Sequence, residues 1–222
     1  MAFEDGQLSV VAFDLDGILA NTEDLYEKAC GEVLGRRGLT YEAPLREQMM
    51  GRPVLDAIQI MIDAHALDDP IDAMLLECRE VLNGFMQTYL APMPGVVELL
   101  DRLKAAGVPV AVATSALREY ADYVLTRLEI KQRFRFILTS EDVTNGKPAP
   151  DIYLLAAKRF GVPAEQMMVL EDSANGCRAA VAAGAFAVAV PNRHTQKHSF
   201  EGARFVADTL ADPRILEALG IG

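Results

Sequence analysis

Asp14 and Asp16 stand two residues apart in the run Val10-Val11-Ala12-Phe13-Asp14-Leu15-Asp16-Gly17. The apolar lead-in reads as a buried strand. Carboxylates two apart where a strand ends project into one crevice, the place where open α/β sheets bind ligands. Gly17 then permits a sharp backbone change that a residue with a Cβ resists. Two acids this close repel, and one pKa rises unless a cation or a shared proton relieves the strain. A structural core has no use for such a pair.

Three further polar clusters end strand-like runs. Val110 to Ala113 leads into Thr114-Ser115. A hydroxyl and free backbone N–H groups there can hold phosphate oxygens, although Thr-Ser at a strand end also serves to cap the next helix. Gly146-Lys147-Pro148-Ala149-Pro150-Asp151 is a stiff, turn-rich loop before a helix. A loop lysine is ordinarily solvated surface, but Lys147 is the nearest counter-charge for an otherwise anionic pocket. Glu171-Asp172-Ser173 follows the apolar Met167 to Leu170, with Asp172 as a helix cap the alternative reading. Together these clusters set Asp14, Asp16, Glu171 and Asp172 against one ammonium. Two like charges about 4 Å apart cost about 4 kcal/mol at an effective dielectric of 20. A hard, oxygen-liking Mg²⁺ resolves this and keeps room for water and a substrate phosphate oxygen. Such a site suits phosphoryl transfer, in which cations neutralise the equatorial oxygens while an oxygen nucleophile attacks in line.

The elements that must position these groups alternate. Strands are expected at Leu8 to Phe13, Val108 to Ala113, Arg135 to Thr139, Met167 to Glu171 and Phe186 to Val190. Helices are expected around Tyr120 to Leu128, Asp151 to Phe160 and Ala174 to Ala183, with helix ends marked by Gly107, Gly161 and Gly184. This rhythm predicts five parallel strands covered on both faces, and the stretch from Phe205 onward adds a short strand and a helix. Between Thr22 and Leu90 the rhythm is helical only. Leu25, Ala29 and Val33 recur at helical spacing, and Pro53 to Ala64 and Ile71 to Tyr89 also read as helices. The expected organisation is an α/β core of 1–20 plus 91–222 with an α-helical insert at 21–90, hinged at Ile18 to Asn21 and Ala91 to Gly95.

The chain has 222 residues, enough for one large α/β domain with a small insert. Its net charge of −11 argues against non-specific binding to nucleic acid or to an anionic membrane. Cys30, Cys78 and Cys177 lack ligand-like spacing and read as reduced, mostly buried thiols. His65, His194 and His198 are too scattered for a zinc cage. No apolar stretch is long enough to span a bilayer, and the start of the sequence lacks the pattern of a signal peptide. The expectation is a cytoplasmic protein with a small phosphorylated substrate and no nucleic-acid or membrane partner, and a monomer is favoured.

Four motifs in order along nearly the whole chain resemble the haloacid dehalogenase (HAD) superfamily. They are Phe-Asp14-Leu-Asp16-Gly-Ile-Leu-Ala-Asn-Thr, Ala-Thr114-Ser115, Gly-Lys147-Pro-Ala-Pro-Asp151 and Leu-Glu171-Asp172-Ser173-Ala-Asn-Gly176. The resemblance is to the branch with a helical cap after the first strand, and within it to the β-phosphoglucomutase-like phosphatases. It implies a Rossmann-like core, Asp14 as the nucleophile forming an aspartyl-phosphate, and Asp16 as the acid/base. It also implies that Thr114, with Ser115, and Lys147 hold the phosphoryl group. Asp172, with Glu171 directly or through water, would bind Mg²⁺ beside Asp14 and the backbone carbonyl of Asp16. Covalent catalysis divides the displacement into two steps.

Departures from the family pattern tilt the reading from mutase to phosphatase. A mutase histidine in the first cap helix corresponds to Tyr26 here, the usual Asp after the glycine loop is Asn21, and the position after Ser115 is Ala116. Asp16 argues against the dehalogenases, which lack the second acid. Gly51-Arg52-Pro53 resembles a cap loop that faces the active site, where Arg52 would bind a second anionic group; Pro53 simply starting a helix is the competing account. Met49, Met50, Met61 and Met74 read as cap core. The alternatives are a hexose-phosphate mutase, a phospho-accepting signalling module and a catalytically silent binding relative.

Overall fold

The computed structural model describes residues 7–49, 52 and 54–221. The chain divides into two compact units, one of residues 22–90 and one formed by residues 1–21 together with 91–222.

The first unit is helical: α1 (Thr22–Gly35), α2 (Ala43–Met49), α3 (Val54–Ala64) and α4 (Ile71–Tyr89). Cys30, Val33, Leu34, Leu45, Met49, Ile58, Met61, Ile62 and Met74 form its buried core. These positions recur at three- and four-residue spacing, so each helix turns one apolar stripe inward. Three of the four methionines singled out above fill this core, and Met50 lies outside the described residues. Cys30 and Cys78 are free thiols, as is Cys177 in the other unit.

The second unit holds six parallel strands in the order β3-β2-β1-β4-β5-β6. These are β1 (Val10–Phe13), β2 (Val110–Ala113), β3 (Ile137–Leu138), β4 (Met167–Glu171), β5 (Phe186–Ala189) and β6 (Phe205–Val206). The helices between and around them are α5 (Val96–Ala105), α6 (Arg118–Arg127), α7 (Asp151–Phe160), α8 (Ala174–Ala182) and α9 (Pro213–Ala218). The strands β1, β2 and β4 are buried along their whole length, as expected for parallel strands covered on both faces. Ile152, Tyr153, Ala156, Ala157 and Phe160 of α7 pack into the core that includes Ala12, Ala111, Val169 and Ala180.

The sheet differs from the expectation at its edges. The predicted strand from Arg135 to Thr139 stands in register with β2 at Ile137 and Leu138, and Arg135 N–H also donates to the Val110 carbonyl at 2.8 Å. Thr139 has already left the ladder to close a capping box with Asp142 over the short 3-10 turn Ser140–Asp142. The short strand expected beyond Phe205 pairs with β5 and makes the sheet six-stranded rather than five. The helix end expected at Gly107 closes α5, whose start the sequence does not mark; Val96, Leu99, Leu100 and Leu103 bury its i, i+3, i+4, i+7 stripe.

The order reverses direction at β1 and β4, neighbours reached by chain running to opposite sides. The crevice outside their carboxyl ends is therefore the expected ligand site. The segments leading to and from the helical insert pair beside it: Met93 N–H donates to the Leu19 carbonyl at 3.1 Å, and Asn21 N–H to the Ala91 carbonyl at 3.1 Å. Asn21 Oδ1 accepts in return from Ala91 N–H at 2.9 Å.

Candidate active site

Asp14 begins where β1 ends. Phe13 stands opposite Leu170, and Asp14 N–H donates to the Leu170 carbonyl at 3.0 Å. The ladder thus sets Asp14 beside Glu171, and the two carboxylates emerge from adjacent strand ends. Between them sits Lys147. Its ammonium donates to Asp14 Oδ1 at 2.5 Å, to Glu171 Oε1 at 2.6 Å and to the Ala113 carbonyl at 2.9 Å. An ammonium has three protons, and all three are used. With 6% of its side chain exposed, Lys147 is no solvated loop lysine. Its loop is pinned by Asp151, whose Oδ2 accepts from Asn145 N–H at 3.3 Å and from Asn145 Nδ2 at 2.9 Å.

Glu171 is held from four directions. Tyr153 OH donates to Oε1 at 2.7 Å, and Ser173 N–H and Oγ donate to Oε2 at 3.3 and 3.0 Å, beside the Lys147 contact. The first turn of α8 lies directly against this carboxylate: a Cβ on Gly176 would come within 1.8 Å of Glu171 Oε1. Only glycine leaves that space, and the positive end of the helix then faces the anion. Ser173, not Asp172, caps α8, its side chain accepting from Gly176 N–H. Asp172 instead accepts from Asn192 Nδ2 at 2.8 Å through Oδ2.

Carboxylate oxygens of Asp14, Glu171 and Asp172 lie within 4.8 Å of one another. The half-buried Asp16 accepts from Tyr120 OH at 3.1 Å. Thr114 is buried, and its Oγ1 accepts from Ala116 N–H at 3.0 Å, while its own N–H donates to the Leu138 carbonyl. It closes a turn after β2 and does not cap α6, whose N-cap is Leu117. Ser115 is exposed beside it. Arg52 is exposed in the helical unit, and Gly51 and Pro53 lie outside the described residues.

The electrostatics follow from burial. Desolvation pushes Asp14 up to about 8, against the pull of Lys147 and with the push of Glu171 and Asp16. Burial disfavours the ammonium of Lys147, yet Asp14 and Glu171 outweigh it and hold the lysine well above its ordinary range. Burial, then Glu171, raises the phenol of Tyr153, which stays a hydrogen-bond donor. Burial likewise raises Cys177, with Glu171 and Asp172 adding to it, leaving an unreactive thiol. Three buried acids facing one lysine remain short of positive charge. An all-oxygen donor set of this kind fits a hard divalent cation.

Three groups at the site carry no signal in the sequence, Tyr120 on Asp16 being the first. Tyr153 lies on the apolar stripe of α7 and looks like core until its hydroxyl is seen on Glu171. Asn192 follows the last long strand with no spacing signal, although the end of β5 opens on the same rim as Asp172.

Residues 11–190 match the haloacid dehalogenase-like hydrolase family. A phosphorylated carbohydrates phosphatase of Thermotoga maritima is 34% identical over 177 residues, which cover 80% of this chain and 82% of that protein. The fructose-1-phosphate phosphatase YqaB of Escherichia coli is 34% identical over 180 residues, covering 80% and 94%. Among solved structures, CbbY of Rhodobacter sphaeroides, as a mutant in complex with xylulose-1,5-bisphosphate, superposes with a TM-score of 0.77 at 27% identity, covering 93% of this chain and 96% of that one. A HAD family hydrolase of Deinococcus radiodurans with bound phosphate and sodium gives 0.80 at 28% identity, covering 96% and 97%. The chain belongs to the haloacid dehalogenase-like hydrolases. Within that family it is a phosphoric monoester hydrolase.

Proposed function

We propose that this enzyme is a Mg²⁺-dependent phosphatase of small phosphorylated metabolites, sugar phosphates foremost, working through a phosphorylated Asp14. The observation that carries the reading is Lys147, which is buried and shared between Asp14 and Glu171 at 2.5 and 2.6 Å. Lys147 holds one oxygen of Asp14 and leaves the other to attack phosphorus in line. The Thr114 hydroxyl donates to a phosphoryl oxygen, and Lys147, whose three protons are already taken, neutralises the phosphoryl charge from beside Asp14. Asp16, oriented by Tyr120, gives a proton to the departing sugar oxygen and then takes one from the water that hydrolyses the acyl-phosphate, a role that typically adds about 10² to 10⁴ in rate. Asp14, Asp172 and the backbone carbonyl of Asp16 would hold the cation, with Glu171 reaching it through water because four donors already occupy its oxygens. Such a cation supplies charge neutralisation at the phosphoryl oxygens. The sugar-phosphate preference rests on relatives named for phosphorylated carbohydrates and fructose 1-phosphate. Residues 21–90 act as the cap that selects the ester, with Arg52 as a candidate contact.

A panel of sugar phosphates and para-nitrophenyl phosphate, assayed with Mg²⁺ and with chelator, tests this. Release of phosphate should require Mg²⁺ and should fall by at least about 10⁴ in Asp14→Asn, a loss typical of removing a nucleophile. Full activity in that variant would mean another nucleophile. Isomerisation of β-glucose 1-phosphate faster than phosphate release would identify a mutase instead.

A further inference from the structure

The loop after β5 reaches back to the metal-facing acids through Asn192 at close range and, at 3.5 Å, through the Thr195 hydroxyl, which donates to Asp172 Oδ2. Asn192 Nδ2 donates to Asp172 Oδ2 at 2.8 Å and lies 3.4 Å from the Gly17 carbonyl. Its amide orientation is fixed from the other end, because Oδ1 accepts from His194 N–H at 2.8 Å. An oxygen facing Asp172 would repel it, and a nitrogen facing His194 N–H would leave two donors opposed. The loop is self-braced. Asn192 N–H donates to Thr195 Oγ1 at 3.1 Å, the Asn192 carbonyl accepts from Thr195 and Gln196 N–H, and His198 Nδ1 accepts from Ala174 N–H at 3.3 Å. Gly17 is fitted to the same contact: at φ +78°, a Cβ there would come within 2.4 Å of Asp172 Oδ2 and 2.5 Å of Asn192 Nδ2.

We infer that Asn192 is a positioning residue that fixes Asp172 relative to the Asp14–Gly17 loop, and so sets the span across which the divalent cation is held. This rests on the metal-dependent reading above. The chemistry of the side chain fits the task. A lysine or arginine at this place would orient Asp172 equally well but would neutralise the charge the cation needs. A neutral amide orients the carboxylate and leaves its charge intact. Groups of this kind, one bond removed from a metal ligand, typically change metal affinity by about 10- to 100-fold when removed.

The test is direct binding of Mg²⁺, and of Mn²⁺ as a spectroscopic probe, to the whole protein by calorimetry and by paramagnetic resonance of the free ion. Asn192→Ala should raise the dissociation constant at least about 10-fold. His198→Ala disturbs the same loop where it meets α8, away from Asp172. It should lower the melting temperature while leaving metal affinity within about 2-fold, well short of that 10-fold criterion. If Asn192→Ala fails to fold, Asn192→Ser keeps a hydroxyl for His194 N–H yet is too short to reach Asp172, and should show the same weakening. Unchanged affinity in the Asn192 variants, or an equal loss in His198→Ala, overturns the positioning role alone. A wild-type protein that binds neither ion yet hydrolyses phosphate esters in chelator overturns the metal-dependent reading as well.

Discussion

Arg37 in the helical unit meets Asp69 and Glu77, both at 2.7 Å, with between 22% and 30% of the three side chains exposed. Lys147 in the α/β unit also meets two carboxylates at similar distances, but exposure there is 10% or less. The geometry is alike and the energetics are not. The first cluster keeps its water, so each pair contributes little and salt screens it. The second has given up its hydration, and each charge depends on the others being present. Partly exposed pairs hold a helix in register. A buried, crowded set holds charges that depend on one another.

Removing one member separates the two most sharply. Lys147→Met leaves Asp14 and Glu171 buried without their cation. It should lower stability by about 3 kcal/mol at neutral pH, the usual cost of breaking a buried pair, and turnover by at least about 10³. Adding Glu171→Gln should recover much of the melting temperature and none of the activity. Denaturant melts and initial rates on the four proteins of that cycle give the coupling.

A smaller effect is expected from Tyr153→Phe, which keeps the ring beneath Lys147, 5.0 Å from the ammonium, and deletes only the donor to Glu171. Stability should fall by about 1.5 to 3 kcal/mol, the range for a hydrogen bond to a charged group. Activity should fall far less than in Lys147→Met. An equal loss in the two would show that orientation of Glu171, rather than charge at Lys147, limits the reaction.

The helical unit should respond least, and through pH. Hydrogen bonding to Arg37, against the penalty of burial, holds the Glu77 carboxyl below its ordinary range. A carboxylate whose folded pKa is depressed contributes stability above its unfolded value, and the contribution disappears as pH falls through the folded value. Wild type should therefore melt slightly above Glu77→Gln at pH 6. The gap should close as the pH drops below the ordinary carboxylate range, and added salt should narrow it at pH 6. A gap that widened on acidification would reverse the sign.

Much of this arrangement is legible in the residues because local chemistry and position agree. The Val10 to Phe13 run is apolar on both faces and stops at an acid. Asp151 to Phe160 carries the helical stripe that α7 uses, to the residue. Edges are harder. Strand β3 has one neighbour, and Thr139 finds a better partner in Asp142 than in the ladder. Helix α2 is only seven residues long and buries just Leu45 and Met49, too few to fix a period. At the site, the groups that read clearly are those whose charge is odd against their surroundings, as with Lys147 among prolines. Tyr153 and Asn192 act through a single polar atom on a side chain that elsewhere is routine, and only proximity reveals them.

The two backbone bonds that join Leu19 to Met93 and Asn21 to Ala91 carry one more implication. Because departure and return lie side by side, the ends of the intervening stretch are already closed by the α/β unit. Any module whose own termini lie a few ångströms apart can be spliced into that gateway without lengthening a strand or altering a register. The intervening stretch can thus be exchanged as a cassette while the groups at the strand ends stay where the sheet keeps them.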